Sequence, residues 1–336
     1  MRKLLFIIFC LACISTANAR GKYDNTDTLI VARDGSGEFR TISEAVEVCR
    51  AFMEYTKVIF VKKGTYKEKL TIPSWLTNIE IIGEDRDETI ISYDDHAYVH
   101  IPKIGAEPST NTQYPTPYTQ TMGTFRTFTV KVEGCDITFR NITIENNAPR
   151  KGQAVALHTE GDRLRFVNCR FLGNQDTVFT GMANTRLYFQ DCYIEGTTDF
   201  IFGPATAWFE NCTIHSKINS YITAASTPKD VAYGYVFNNC KLTAAEGVDK
   251  VYLGRPWRAY AYTLFMNCHM DKHIVSEGWQ NWKDYHNPAE EGTVRYSEYN
   301  SSGDGASPTQ RVSWSKQLSK KEVKTITIEK VLNGWK

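Results

Sequence analysis

The chain has 336 residues, 42% of them hydrophobic and 23% charged, with 39 basic and 38 acidic side chains. That length and composition allow a large core, and the near-neutral balance lacks the basic footprint of a nucleic-acid binder. Residues 1–19 stand apart. Arg2 and Lys3 precede an apolar run from Leu4 to Ile14, and Ala17-Asn18-Ala19 fits a small-residue cleavage site. This pattern predicts a secretory signal peptide, with an apolar run shorter than the ~20 residues a membrane span needs. The protein is therefore expected to be secreted or periplasmic, with no membrane attachment after cleavage. Leu11-Ala12-Cys13 leaves lipoprotein anchoring as a minor alternative. Cleavage after Ala19 leaves a formal charge of −1 and seven of the nine cysteines. Those seven contain no Cys-x-x-Cys pair, which argues against a zinc site.

From residue 20 onward the chain alternates short strands and turns. Leu29-Ile-Val31 predicts a strand, followed by the turn Asp34-Gly-Ser-Gly37. Thr41-Ile-Ser-Glu44 is a capping box. Ile42, Ala45, Cys49, Phe52 and Met53 then recur at helical spacing, which predicts one amphipathic helix capping the first coil of a solenoid. Strands are expected at Val58–Val61, Ile79–Ile82 and Ile90–Tyr93. Residues 94–121, with Pro102, Pro108, Pro115 and Pro117, predict a long surface excursion.

A repeat then becomes explicit. Phe139-Arg-Asn141-Ile-Thr-Ile144 is echoed at Phe166–Phe171, Phe189–Ile194, Phe209–Ile214, Phe237–Leu242 and Phe265–Met270. Between the Asn or Asp positions the steps are 27, 23, 20, 28 and 28 residues. Repeats of this size are single coils of a β-solenoid. Phe and the last apolar residue face inward, Asn or Asp makes a bend, and the varying steps predict loops of different length at one corner. Cys169, Cys192, Cys212, Cys240 and Cys268 are expected to stack as buried small apolar side chains. A disulfide between neighbouring coils, such as Cys192 to Cys212, is the alternative. After Met270 the repeat fades. The aromatic-rich stretches Gly278–Trp282 and Tyr296–Tyr299, a loop at Gly303–Pro308, a short helix within Leu318–Val323 and the tail to Trp335 are expected to fold back along the solenoid. Together these features predict one all-β domain over residues 20–336.

Chemistry concentrates between Gln153 and Phe202. Gln153, Asp176 and Asp199 are spaced by 23 residues each, so they are expected to lie one above another, with about 4.8 Å between coils. Two stacked carboxylates push one pKa up, and a nearby cation holds the other down. That leaves one proton donor and one anion. Amide N–H groups of Gln153 and Gln175 suit a developing oxyanion, so the set describes acyl transfer. The bland reading is an outward polar ladder or a calcium site. Val251–Trp257 adds Arg255, a bidentate partner for a carboxylate, and Trp257, a flat face for a sugar ring.

At these residues the chain resembles the pectin methylesterase (pectinesterase) family. The resemblance runs from about Ile30 to Trp314. Its stretches are Asp34–Gly37 with Thr41–Ala45, Gly64-Thr-Tyr66-Lys-Glu68, Gln153–Leu157, Gly173–Thr177, Asp199–Gly203, Leu253–Trp257 and Tyr299-Asn300. It implies a right-handed parallel β-helix that hydrolyses galacturonate methyl esters of pectin (methylesterified homogalacturonan), acting as a monomer without cofactor or metal. It also implies roles. Asp199 is the nucleophile, Asp176 the general acid and later base, Gln153 and Gln175 the oxyanion site, and Arg255 the group that keeps Asp199 ionised. Phe202, Phe179 and Trp257 line the sugar groove, joined by Thr124. Phe179 stands where Tyr is frequent in the family. Arg126-Thr127-Phe128 stand where Ser-Ala is common, so contacts there are not assigned. A pectate lyase-like enzyme and a non-catalytic pectin-binding solenoid are the alternative functions.

Overall fold

A computed structural model describes residues 21–100, 121–282, 289 and 291–335. The predicted signal peptide and most of the predicted 94–121 excursion lie outside the described residues. Among the described residues, twenty-six strands form three parallel sheets of eleven, eight and seven strands. Each coil between the two ends of the stack contributes one strand to each sheet in turn. Arg186–Gln190 lies in the first sheet, Tyr193–Gly196 in the second and Ile201–Gly203 in the third, before Thr206–Glu210 returns to the first. The result is a parallel β-helix, whose crossovers take the right hand that parallel strands favour.

The repeated Phe column forms its spine. Phe139, Phe166, Phe189, Phe209, Phe237 and Phe265 are all fully buried. Successive rings stack with centroids 5.6, 4.8, 4.6, 4.3 and 4.4 Å apart. That is close to the strand spacing, so each ring gains both burial (~2–3 kcal/mol) and a stacked neighbour (~1 kcal/mol). Two residues on, Asn141, Asn168, Asp191, Asn211, Asn239 and Asn267 all take left-handed backbone, with φ between 50° and 55°. Most L-residues are strained there by ~1–2 kcal/mol, whereas Asn and Asp tolerate it. Each turn swings the chain from the first sheet into the second. The five repeat cysteines follow these turns. All are buried and free, so the Cys192–Cys212 disulfide alternative is not realised.

Several expectations change in detail. The capping box is present, but the helix stops at Glu47, and Phe52 is 71% exposed with φ 53°. Cys49 and Met53 reach the core from the turn beyond the helix. Loop length varies at two corners rather than one. The passage from second to third sheet takes Thr197–Phe200 in one coil and Ala245–Val251 in another. The passage from third to first takes Pro204–Ala205 in one coil and Ser226–Gly234 in another. Only the Asn turn keeps its length, with two residues between the first-sheet and second-sheet strands in each of the six repeats.

The repeat also outlasts its sequence signature. Arg295–Tyr299 pairs with Tyr262–Met266, and Asn300 keeps φ 49°. In this coil Glu298 stands in register with Phe265. It is buried, and Arg311 donates to it at 2.9 and 3.1 Å while Trp279 Nε1 donates at 3.2 Å. The tail then runs through helices Lys320–Val323 and Ile328–Val331. Val331 and Leu332 pack on Trp208, Val236 and Leu264, on the outer face of the first sheet. The predicted fold-back therefore holds for the tail, whereas Tyr296–Tyr299, expected to fold back as well, instead continues the coil as a strand of the first sheet. Among the described residues, no helix is long and apolar enough to cross a membrane.

Candidate active site

The candidate site sits on the third sheet and on the turn that leads into it. In two successive coils that turn carries an aspartate in left-handed backbone, Asp176 with φ 67° and Asp199 with φ 50°. Asp176 N donates to Thr198 O at 3.1 Å, and Asp199 N to Tyr221 O at 2.9 Å. The two turns are therefore stacked in register, and their carboxylates open into one cavity of about 260 Å³. The glycines before them permit the tight passage. A Cβ on Gly196 would lie 2.2 Å from Phe200 Cβ.

Gln153 enters one residue off the expected line. Ala154 N donates to Gln175 O at 3.0 Å, which sets Gln153 level with Gln175 rather than with Asp176. Just beyond, Ala156 N and Leu157 N both donate to Thr177 O, at 2.9 and 3.1 Å. Such a bulge shifts the register by one residue. The even spacing thus stacks the two carboxylates on each other, while the shifted register pairs the two amides with each other. Gln153 still lines the cavity. It is held by its own carbonyl, which accepts from Ala97 N at 2.8 Å.

Thr124, Gln153, Gln175, Asp176, Asp199 and Phe202 line the cavity, as do Arg255 and Trp257. Phe179 lies just outside it, tilted against Phe202 with ring centroids 4.7 Å apart. Phe125 and Trp282 also line the cavity, and no role was expected of them. Phe125 is 4.7 Å from Phe179 and extends the aromatic wall Phe179–Phe202–Trp257. Their only signals in the chain are adjacency to Thr124 and membership of an aromatic-rich stretch. Larger depressions occur beside His269 and Asp271 (550 Å³) and beside Arg170 and Asp191 (670 Å³). Neither holds a buried carboxylate pair.

The two carboxylates are electrostatically unequal. Both are buried, at 8% and 5% exposure for Asp176 and Asp199. Arg255 donates to Asp199 twice, Nε to Oδ1 at 3.0 Å and Nη2 to Oδ2 at 2.6 Å. Burial pushes Asp176 well above the ordinary carboxylate range, the charge of Asp199 pushes it further, and Arg255 opposes only in part. Burial also raises Asp199, against the pull of Arg255. The expectation that the cation holds Asp199 below its ordinary value is therefore corrected, because desolvation outweighs one shared guanidinium. The order of ionisation survives: Asp199 loses its proton first. Among the described residues, no cluster of three or more His, Cys, Asp or Glu side chains could hold a metal ion.

A stacked, buried carboxylate pair with one arginine-bound member, on a parallel β-helix, defines a class of carbohydrate esterase site. Comparison places the chain within that class. The pectinesterase family model matches residues 28–104 and 105–335, so the chain belongs to the pectinesterase family and is a carboxylic ester hydrolase. It is 35% identical to Pectinesterase 31 of Arabidopsis thaliana, over 86% of this chain and 86% of that one. Pectin methylesterase from carrot superposes with a TM-score of 0.79 at 30% identity, covering 91% of this chain and 93% of the other. A pectin methylesterase mutant in complex with a hexasaccharide superposes with a TM-score of 0.77 at 28% identity, covering 92% and 97%.

Proposed function

We propose that this protein hydrolyses the methyl esters of galacturonate in pectin, giving pectate and methanol. Asp199 Oδ attacks the ester carbonyl carbon. The negative charge that develops on the carbonyl oxygen is taken up by the amides of Gln153 and Gln175. The bond between the acyl carbon and the methoxy oxygen breaks, and Asp176 gives its proton to that departing oxygen, releasing methanol. The acyl–Asp199 anhydride remains. Asp176, now a carboxylate, takes a proton from water, the resulting hydroxide attacks the acyl carbon, and Asp199 leaves as the free anion. Arg255 stabilises that anion before and after.

The observation that carries this reading is the inequality of the buried pair. Arg255 binds Asp199 in bidentate fashion, while Asp176 is the member that burial and a neighbouring charge keep protonated. The wall of Phe179, Phe202 and Trp257 offers stacking faces for sugar rings, and Thr124 lines the same cavity. The hexasaccharide held by a structural relative is consistent with that use. Residues 1–19 act as a secretory signal, and residues 20–336 form one domain that works as a monomer outside the cell or in the periplasm. Asp199→Ala tests the reading. Methanol release from methylated pectin should fall by about 10³-fold or more with the fold intact. Retained activity removes the proposed nucleophile.

A further inference from the structure

Arg255 is held by more than its ion pair. The Tyr221 ring centroid lies 4.3 Å from its guanidinium carbon and the Trp282 centroid 4.0 Å. Both are well inside cation–π range. Tyr221 does not line the cavity, but it is tied to the nucleophile's turn, because its carbonyl accepts the Asp199 N–H at 2.9 Å. Its ring stacks on Tyr252 of the next coil at 5.5 Å, and its hydroxyl donates to Gln280 Oε1. Residue 221 thus bonds to the backbone of Asp199 and presses its ring on the group that pairs with the Asp199 side chain. A guanidinium on a flexible stem can meet a carboxylate edge-on in many ways, and a flat ring against its face leaves few of them.

We propose that Tyr221, with Trp282, is a positioning residue that holds the Arg255 guanidinium in its bidentate geometry on Asp199 and so sets which carboxylate ionises first. The inference rests on the reading of Asp199 as the reactive anion. The ionisable groups that face the Asp199–Arg255 pair are Asp176 and the phenols of Tyr221 and Tyr296. Burial raises both phenols, so they stay neutral where the carboxylates titrate. With Arg255 loosened, Asp199 keeps its desolvation and loses part of its stabilisation, so its proton leaves at higher pH.

The test is the pH profile of kcat/KM for methanol release. In Tyr221→Leu the acid limb should move to higher pH and kcat should fall by roughly tenfold to thirtyfold, the worth of one desolvated cation–π contact. KM should change by less than about twofold, since the ring lies outside the cavity. Tyr221→Phe keeps the ring and loses only the hydroxyl bond, so it should restore the wild-type acid limb. A merely structural role lowers the amplitude and leaves the limb in place. A folded Tyr221→Leu protein with a superimposable acid limb overturns the proposal. If Tyr221→Leu melts early, Trp282→Leu on the partly buried side gives the same readout, and an unmoved limb there overturns the proposal equally. Asp199→Asn separates the two levels. If it stays active, the reading of Asp199 fails. If it is inactive while the limb of Tyr221→Leu stays put, only the positioning role fails.

Discussion

Asp176 is held against its own preference for water. In the unfolded chain its carboxyl ionises near the ordinary value of 3.8, and in the folded site burial and the charge of Asp199 push that value well up. A raised native pKa means that folding is unpenalised by this group below pH 3.8 and loses stability as the pH rises toward the native value. Asp176→Asn removes the penalty without changing the shape of the side chain. It should raise the melting temperature at pH 7, and the difference from wild type should close below about pH 3. The same change should lower kcat by about 10²–10⁴-fold, the usual worth of a general acid. A melting temperature unchanged at both pH values would show that Asp176 is solvated, contrary to its burial. Asp199 has the same sign and a smaller effect, because Arg255 recovers part of its lost hydration. The rate should be bell-shaped, with limits that belong to the coupled pair.

The element that repeats most faithfully is the turn rather than the strand. Asn267 has φ 55°, donates to Asn238 Oδ1 at 2.9 Å and accepts from Asn300 Nδ2 at 2.9 Å. Asn267→Gly keeps the left-handed backbone and loses two exposed hydrogen bonds. Asn267→Ala loses the same bonds and adds the left-handed penalty of ~1–2 kcal/mol. Urea melts should therefore rank wild type above Gly and Gly above Ala, with Ala about 1–2 kcal/mol below Gly. Equal stability of Gly and Ala would mean that the turn relaxes to another conformation. The strands are set less by their own residues. They are three to seven residues long in most coils, and parallel pairing above and below holds them. Glu298 illustrates this. It occupies the phenylalanine column, where a carboxylate is tolerated because Arg311 and Trp279 satisfy it inside the core.

At the scale of the whole molecule the coils behave as a stack in which each buries its neighbours. The stacked cysteines lie inside that stack and are inert: burial holds the Cys169, Cys192, Cys212 and Cys240 thiols well above their usual range. A thiol reagent should leave all five repeat cysteines untouched in the folded protein, with the half-buried Cys135 the first to react, and release them together on unfolding. A reductant should leave the melting temperature unchanged. Reaction of one repeat cysteine alone under native conditions would mean that a single coil opens independently.

The sequence by itself determined the coil. The Phe column, the Asn or Asp turn and the buried cysteine recur because each coil must offer the same face to the next, and that demand is local and periodic. It also brought Asp176 and Asp199 together, since equal steps between equivalent turns mean vertical neighbours. Four things were decided only by tertiary structure. A bulge at Ala156–Leu157 levels Gln153 with Gln175. Burial overrides Arg255 in the titration of Asp199. Tyr221 and Trp282 converge on one guanidinium from the coils on either side of it. The last coil continues on Glu298 without a phenylalanine. Spacing records how many residues separate two turns. It carries no record of where a strand gains a residue, how much water is displaced, or which loops meet across the groove, because those depend on the neighbours that each side chain acquires after the chain has coiled.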